Sequence, residues 1–150
     1  MAVFTEVSLQ EADALAKKLK LAPVAQLKGI TGGIENTNYF LTTAQGDQYV
    51  LTLFERLSAE QLPFYLFLMK HLASRGIPVP DPAASPHGEI LHEVCGKPAA
   101  LVDRLRGASV LEPQASHAAR VGDMLARMHL AGQDYQRSQP NLRGLDWWNE

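Results

Sequence analysis

The chain has 150 residues, of which 46% are hydrophobic and 20% charged, enough apolar material for a packed core and too much for disorder. Its 14 Lys plus Arg against 16 Asp plus Glu leave a net charge of −2, without the basic excess on which a nucleic-acid binder relies. This length allows one compact domain or one and a half small ones.

Ser8 and Glu11 stand at capping-box spacing, and Leu9, Ala12, Leu15, Ala16 and Leu19 recur at helical intervals, which predicts a first helix. Lys17, Lys18 and Lys20 suit the dipole at its C-terminal end, and Pro23 lies just beyond. Glu6, Glu11 and Asp13 fall where a secretory signal would carry positive charge and then an apolar stretch.

From Lys28 to Phe54 the period becomes that of strands. A first strand is expected around Ala25 to Ile30, a second over Asn38 to Thr43 and a third over Gln48 to Phe54, with Ala44-Gln45-Gly46-Asp47 as the turn between the last two. Tyr49, Leu51 and Leu53 share one face of the third strand and Val50, Thr52 and Phe54 the other, and both read as at least partly buried.

Leu62, Leu66, Met69 and Leu72 form the stripe of a helix between about Ser58 and Arg75, which Gly76 stops. Pro63 is tolerated only in the first turn, so the start belongs nearer Leu62. The longest apolar run, Leu62 to Met69, falls far short of the roughly 20 residues that cross a bilayer, and no membrane partner is expected. Ile77-Pro78-Val79-Pro80 must be extended.

Two short strands, Glu89 to Val94 and Ala99 to Arg104, are expected next, joined by the turn Cys95-Gly96-Lys97-Pro98. Cys95 is the one cysteine, which excludes an internal disulfide and fits a reducing, cytoplasmic compartment. Pro113 opens a long helix to about Ala131, with Ala118, Val121, Leu125 and Met128 as its apolar stripe and Gly132 at its end. From Gln133 the tail reads as a polar loop that closes on Trp147-Trp148-Asn149-Glu150. The pattern predicts an α+β arrangement: a five-stranded antiparallel sheet with one helix crossing between its third and fourth strands.

The chemistry concentrates in Gly29-Ile30-Thr31-Gly32-Gly33-Ile34-Glu35-Asn36-Thr37-Asn38-Tyr39. Three glycines within five residues let backbone N–H groups approach an anion and allow positive φ at a turn. Asn36 and Asn38 add amide donors on one face of the following strand, which suits a flap over nucleotide phosphates. On the glycines alone, a tight hairpin turn that merely uses glycine is the preferred reading. No G-x-x-x-x-G-K-[ST] P-loop is present, and the glycine segment runs into a strand where a Rossmann loop would open a helix.

The element order and these motifs resemble the N-terminal lobe of the protein-kinase-like phosphotransferases that include choline kinase and the aminoglycoside phosphotransferases, and more narrowly the bacterial homoserine kinases of that fold. The matching stretches are the glycine–Asn segment with the following Phe40, Tyr49-Val50-Leu51-Thr52-Leu53-Phe54-Glu55-Arg56, Leu62-Pro63-Phe64, Gly76-Ile77-Pro78-Val79-Pro80, Gly96-Lys97-Pro98-Ala99, Val121-Gly122-Asp123-Met124-Leu125-Ala126-Arg127-Met128-His129 and Arg143-Gly144-Leu145-Asp146-Trp147. The resemblance implies a kinase-like N-lobe over 1–105, and over 106–150 the hinge and the first long helix of a C-lobe that is cut short. It implies that Gly29, Gly32 and Gly33 cover the ATP phosphates with Asn36 and Asn38, that Val50 packs on adenine, and that Val102, Asp103, Arg104 and Leu105 form the hinge meeting the adenine edge.

Kinases of this architecture usually place Lys or Arg on the third strand to hold the α/β-phosphates, paired with a helix Glu. The corresponding residue here is Thr52, a threonine the homoserine kinase branch shares. Lys28, Arg56 and Glu60 are the nearby charges, and all three read as solvated surface groups. None of the five histidines has Asp two positions on and no Asp-x-Gly occurs, so the catalytic base and the Mg²⁺ ligands are expected outside this chain. The chain therefore reads as an ATP-lobe piece of a longer enzyme, inactive by itself, that with ATP and Mg²⁺ phosphorylates the hydroxyl of homoserine in threonine biosynthesis. Two other readings stand beside this: a kinase of the same fold acting on choline, an aminoglycoside or another hydroxyl compound, and a non-catalytic nucleotide-binding or interaction domain.

Three further groupings are weaker. His92 and Cys95 offer only two of the four ligands zinc takes, and Cys95 lacks a neighbouring base. Met124 and Met128 read as packing residues, and Asp81, Asp103 and Asp123 lack a carboxylate partner in sequence.

Overall fold

The computed structural model describes residues 3–142 and 144–148, the side chain of Asp146 excepted. Arg143 and the Asp146 side chain, in the last of the matching stretches, lie outside the described residues, as do Asn149 and Glu150. Ser8 caps α1 (Leu9–Lys18): its Oγ accepts the Glu11 N–H at 3.2 Å, and the Glu11 carboxylate accepts the Ser8 N–H at 2.8 Å. These bonds satisfy donors that a helix start leaves without partners. Ala12, Leu15, Ala16 and Leu19 are buried, while Leu9 at the helix start is exposed.

Strands β1 (Val24–Gly29), β2 (Asn36–Thr43) and β3 (Gln48–Phe54) run as an antiparallel meander. Helix α2 (Leu62–Ser74) crosses to β4 (His92–Val94) and β5 (Lys97–Asp103), which completes a sheet of order β1-β2-β3-β5-β4 with every pair antiparallel. Pro63 sits in the first turn of α2, which is why the helix starts at Leu62 and not Ser58.

The alternation of β3 gives two cores. Leu51 and Leu53 join Tyr39, Leu41, Ala99, Leu101 and the buried face of α1 on one side of the sheet. Leu41, Leu51, Leu53 and Leu101 are fully buried, each a gain of roughly 1.5–3 kcal/mol. On the other side Leu62 and Leu66 of α2 pack with Ile90 and Ala100, with Phe54, Phe67 and Met69 at the margin.

Several sequence expectations are corrected. The fourth strand is three residues, not six, because Ser85 to Glu89 closes on itself through Ser85 N–H to Glu89 O at 2.9 Å. The turn before β5 is only Cys95-Gly96, both at positive φ (53° and 69°), and Lys97 and Pro98 already pair with Val94 and Glu93. This is the two-residue hairpin with left-handed central residues that matches strand twist. The long helix α3 (Ala115–Gly132) forms, yet buries no residue; Ala118, Val121 and Leu125 are exposed, and Met128 is half-buried. The tail is not all loop, since Leu145–Trp148 form a short helix, α4.

A polar clamp ties α3 to α2. His71 Nε2 meets the Ala131 carbonyl at 3.0 Å, Arg75 pairs with Asp134, and Tyr135 Oη donates to the Phe64 carbonyl at 2.6 Å.

Candidate functional site

The sheet face turned away from α1 carries Asn36, Asn38, Val50, Thr52 and Val102 of the residues singled out from the sequence. In register, Asn38 opposes Thr52 and Thr52 opposes Ala100; one row along, Phe40 opposes Val50 and Val50 opposes Val102. Asn36 opposes Phe54, at the end that α2 covers. Phe40, Val50 and Val102 belong to neither hydrophobic cluster although Val102 is buried and the other two are half-buried. An apolar strip outside both cores, flanked by amides, has the chemistry of a ligand surface.

The glycine segment lies at one end of this strip. Ile30 N–H bonds to Asn38 O at 2.9 Å, which prolongs the β1–β2 ladder and leaves 31–35 as the loop. Gly33 has φ 115°, a conformation L side chains rarely adopt, and a Cβ there would lie 4.0 Å from Asn38 Nδ2. Nothing lies within 4 Å of a Cβ built on Gly32, so the folded chain alone does not demand glycine at that position. Gly29 differs: its Cβ would meet Val3 Cγ2 at 2.9 Å and the Tyr39 ring at 3.7 Å, on the α1 face, so its smallness admits the N-terminal segment.

Asn38 and Thr52 are joined. Thr52 Oγ1 donates to Asn38 Oδ1 at 2.7 Å, and Asn38 Nδ2 reaches the Asn36 carbonyl at 3.4 Å. Lys28 opposes Phe40 on this face and has no ion-pair partner among the described residues. Arg56 and Glu60 are exposed, as expected of solvated charges.

The expected hinge occupies the other end. Asp103 N–H bonds to Asp81 O and the Asp103 carboxylate accepts the Asp81 N–H, which ties the segment after α2 to the edge of β5. Asp81 and Asp103 are thus neighbours, which their sequence spacing hid; the Asp81 carboxylate is engaged by Lys70 at 2.9 Å. Arg104 N–H bonds to Gln48 O, and its guanidinium lies 4.1 Å from the Phe40 ring centroid. Leu105 is exposed, and its N–H has no backbone partner among the described residues. The strip ends at a depression of about 610 Å³ lined by Asp47, Gln48, Arg104 and Arg106. Phe40 closes the matching glycine–Asn stretch, and its alternation with Asn36 and Asn38 places it on their face, a site position that the motif alone does not single out.

The remaining groupings gain no site. Among the described residues no group of three or more His, Cys, Asp or Glu is placed to hold a metal ion. Burial, then the hydrogen bond and charge of Glu11, push the Cys95 thiol above its ordinary range, opposite to what a nucleophile needs. His92 is buried, and that burial lowers its pKa and favours the neutral ring.

The chain belongs to the phosphotransferase enzyme family, whose model matches residues 26–150. Over its full length the chain is 67% identical to the homoserine kinase of Polaromonas naphthalenivorans, 60% to that of Cupriavidus necator and 55% to that of Burkholderia cenocepacia. It covers 47%, 46% and 45% of those proteins, so the chain spans about half the length of the curated relatives it matches. Two solved structures share the fold, each with a TM-score of 0.67. One is an amicoumacin kinase in complex with AMP-PNP and Ca²⁺, 22% identical over 77% of this chain and 37% of that one. The other is a spectinomycin phosphotransferase in complex with ADP and spectinomycin, 13% identical over 97% of this chain and 45% of that one.

Proposed function

We propose that the whole protein is an ATP-dependent kinase acting on the hydroxyl of homoserine in threonine biosynthesis, with 1–105 as its nucleotide lobe and 106–150 opening the second lobe. The nucleotide half of this reading is carried by one observation: Val50, Val102, Asn38 and Thr52 share the sheet face turned away from α1, none of the four belongs to either core, and Asn38 lies beneath Gly33. Adenine would lie on Val50 and Val102, with the Leu105 N–H toward its edge, and the phosphates near Gly32, Gly33, Asn36 and Asn38. Homoserine as acceptor rests on the 55–67% identity to homoserine kinases.

In the reaction the hydroxyl oxygen bonds to the γ-phosphorus as the bond to the β–γ bridging oxygen breaks, and ADP leaves. The hydroxyl proton passes to a base that none of these residues supplies, since no His-x-Asp occurs. Mg²⁺, which the family resemblance implies, would take its ligands from outside this chain, whose part is to hold and orient the nucleotide.

The test is ADP release by the full-length product of the gene encoding this chain, measured with homoserine, choline and an aminoglycoside. Homoserine is expected to give the highest kcat/KM. A preference for another acceptor would reassign the substrate, and no acceptor-dependent release with any of them would overturn the kinase reading.

A further inference from the structure

The position that in related kinases carries a phosphate-binding cation holds Thr52, and the structure shows what its hydroxyl does. The Asn36 carbonyl can only accept, so the edge of the Asn38 amide 3.4 Å from it is the NH₂ edge; that leaves Oδ1 for the Thr52 hydroxyl at 2.7 Å. One N–H of the amide is thereby spent on Asn36, and the other has no partner among the described residues. That NH₂ lies 4.0 Å from where Gly33 would carry a Cβ, beneath the glycine loop. Beyond Thr52 in the same row stands Ala100, which is buried in the core formed with Leu62 and Leu66 of α2.

We propose that Thr52 is a positioning residue: its hydrogen bond to Asn38 Oδ1 turns the Asn38 NH₂ toward the glycine loop, where it donates to a phosphate oxygen of the bound nucleotide. A neutral, oriented donor thus takes the place of a fixed charge. The inference rests on the nucleotide reading above.

Calorimetric titration of the full-length protein with ATP and with adenosine tests it. Thr52→Val keeps the shape and removes the hydroxyl; it is expected to weaken ATP by about tenfold, leave adenosine unchanged, and be rescued by Thr52→Ser. Asn38→Asp keeps an acceptor for Thr52 but turns a negative charge to the phosphates, so ATP affinity should fall by about a hundredfold with adenosine again unchanged. ATP affinity retained in both variants, or ATP and adenosine weakened alike, would overturn the positioning role while leaving the nucleotide site standing. An unaltered protein that binds neither ligand would overturn both.

Discussion

Glu55 shows how one side chain supports the site from the opposite face. Its carboxylate accepts Thr5 Oγ1 at 2.7 Å and Thr37 Oγ1 at 2.6 Å and pairs with Lys97, and its side chain is 12% exposed. Thr37 in turn accepts the N–H groups of Phe4 and Thr5, at 2.9 and 3.1 Å, which lays the N-terminal segment across the strands and Val3 against Gly29. Burial alone would raise the Glu55 pKa, but the bonds from Lys97, Thr37 and Thr5 outweigh it and hold the group below the usual carboxylate value of 4.5. A folded pKa below the unfolded one stabilises above the unfolded value, and that contribution is lost as pH falls through the folded value. Glu55→Gln should therefore cost about 1–3 kcal/mol at neutral pH, and the gap should close in acid. Urea unfolding at both pH values measures this, and a gap that does not change with pH refutes it. At Gly32, where a Cβ meets nothing, Gly32→Val should leave the melting temperature unchanged while weakening ATP by about tenfold. Equal ATP affinity would remove the loop from the nucleotide site.

At the scale of elements, β-strand period and capping chemistry made most of the fold legible. Val50, Thr52 and Phe54 alternate against Tyr49, Leu51 and Leu53, and the turn at Gly46 sits where the register places it, Thr42 opposite Gln48. The Thr52–Asn38 bond was not legible, because it depends on which residues of two strands stand opposite each other. The shortness of β4 was also hidden, since the Ser85–Glu89 loop that excludes Ile90 from pairing carries no period of its own. Helix ends supply a pair of predictions of opposite sign. Gly76, after α2, has φ 74° with open space around a Cβ, so Gly76→Ala should destabilise by about 1 kcal/mol through backbone strain alone. Lys20, after α1, has φ 58°, and Leu21 N–H returns to Ala16 O at 2.9 Å in a closing motif that favours glycine. Lys20→Gly should stabilise by about 0.5–1 kcal/mol. Chemical unfolding of the two variants beside the parent measures both, and a shared sign would contradict the argument.

At the scale of the whole molecule α3 is the long helix that buries no residue. Its sequence reads as amphipathic, yet Val121 is 67% exposed and Leu130 66%, and the helix is held to α2 by the His71–Arg75–Asp134–Tyr135 clamp and the margin of a groove of about 430 Å³. Periodicity revealed an apolar stripe but could not say what lies against it, because a stripe fixes the face of a helix and not its neighbour. Leu111 and Trp148 are exposed as well, at 92% and 75%. A surface of this kind is sticky in water. The 150-residue chain alone should bind a hydrophobic dye and self-associate at raised concentration, and Val121→Lys with Leu130→Glu should reduce both. Neither side chain is part of a core, so the double variant should shift the melting temperature by no more than about 2 °C. Dye fluorescence, light scattering and a melting curve on one sample decide it: a large loss of stability would mean that α3 already packs its stripe within this chain, and unchanged dye binding would place the sticky surface elsewhere.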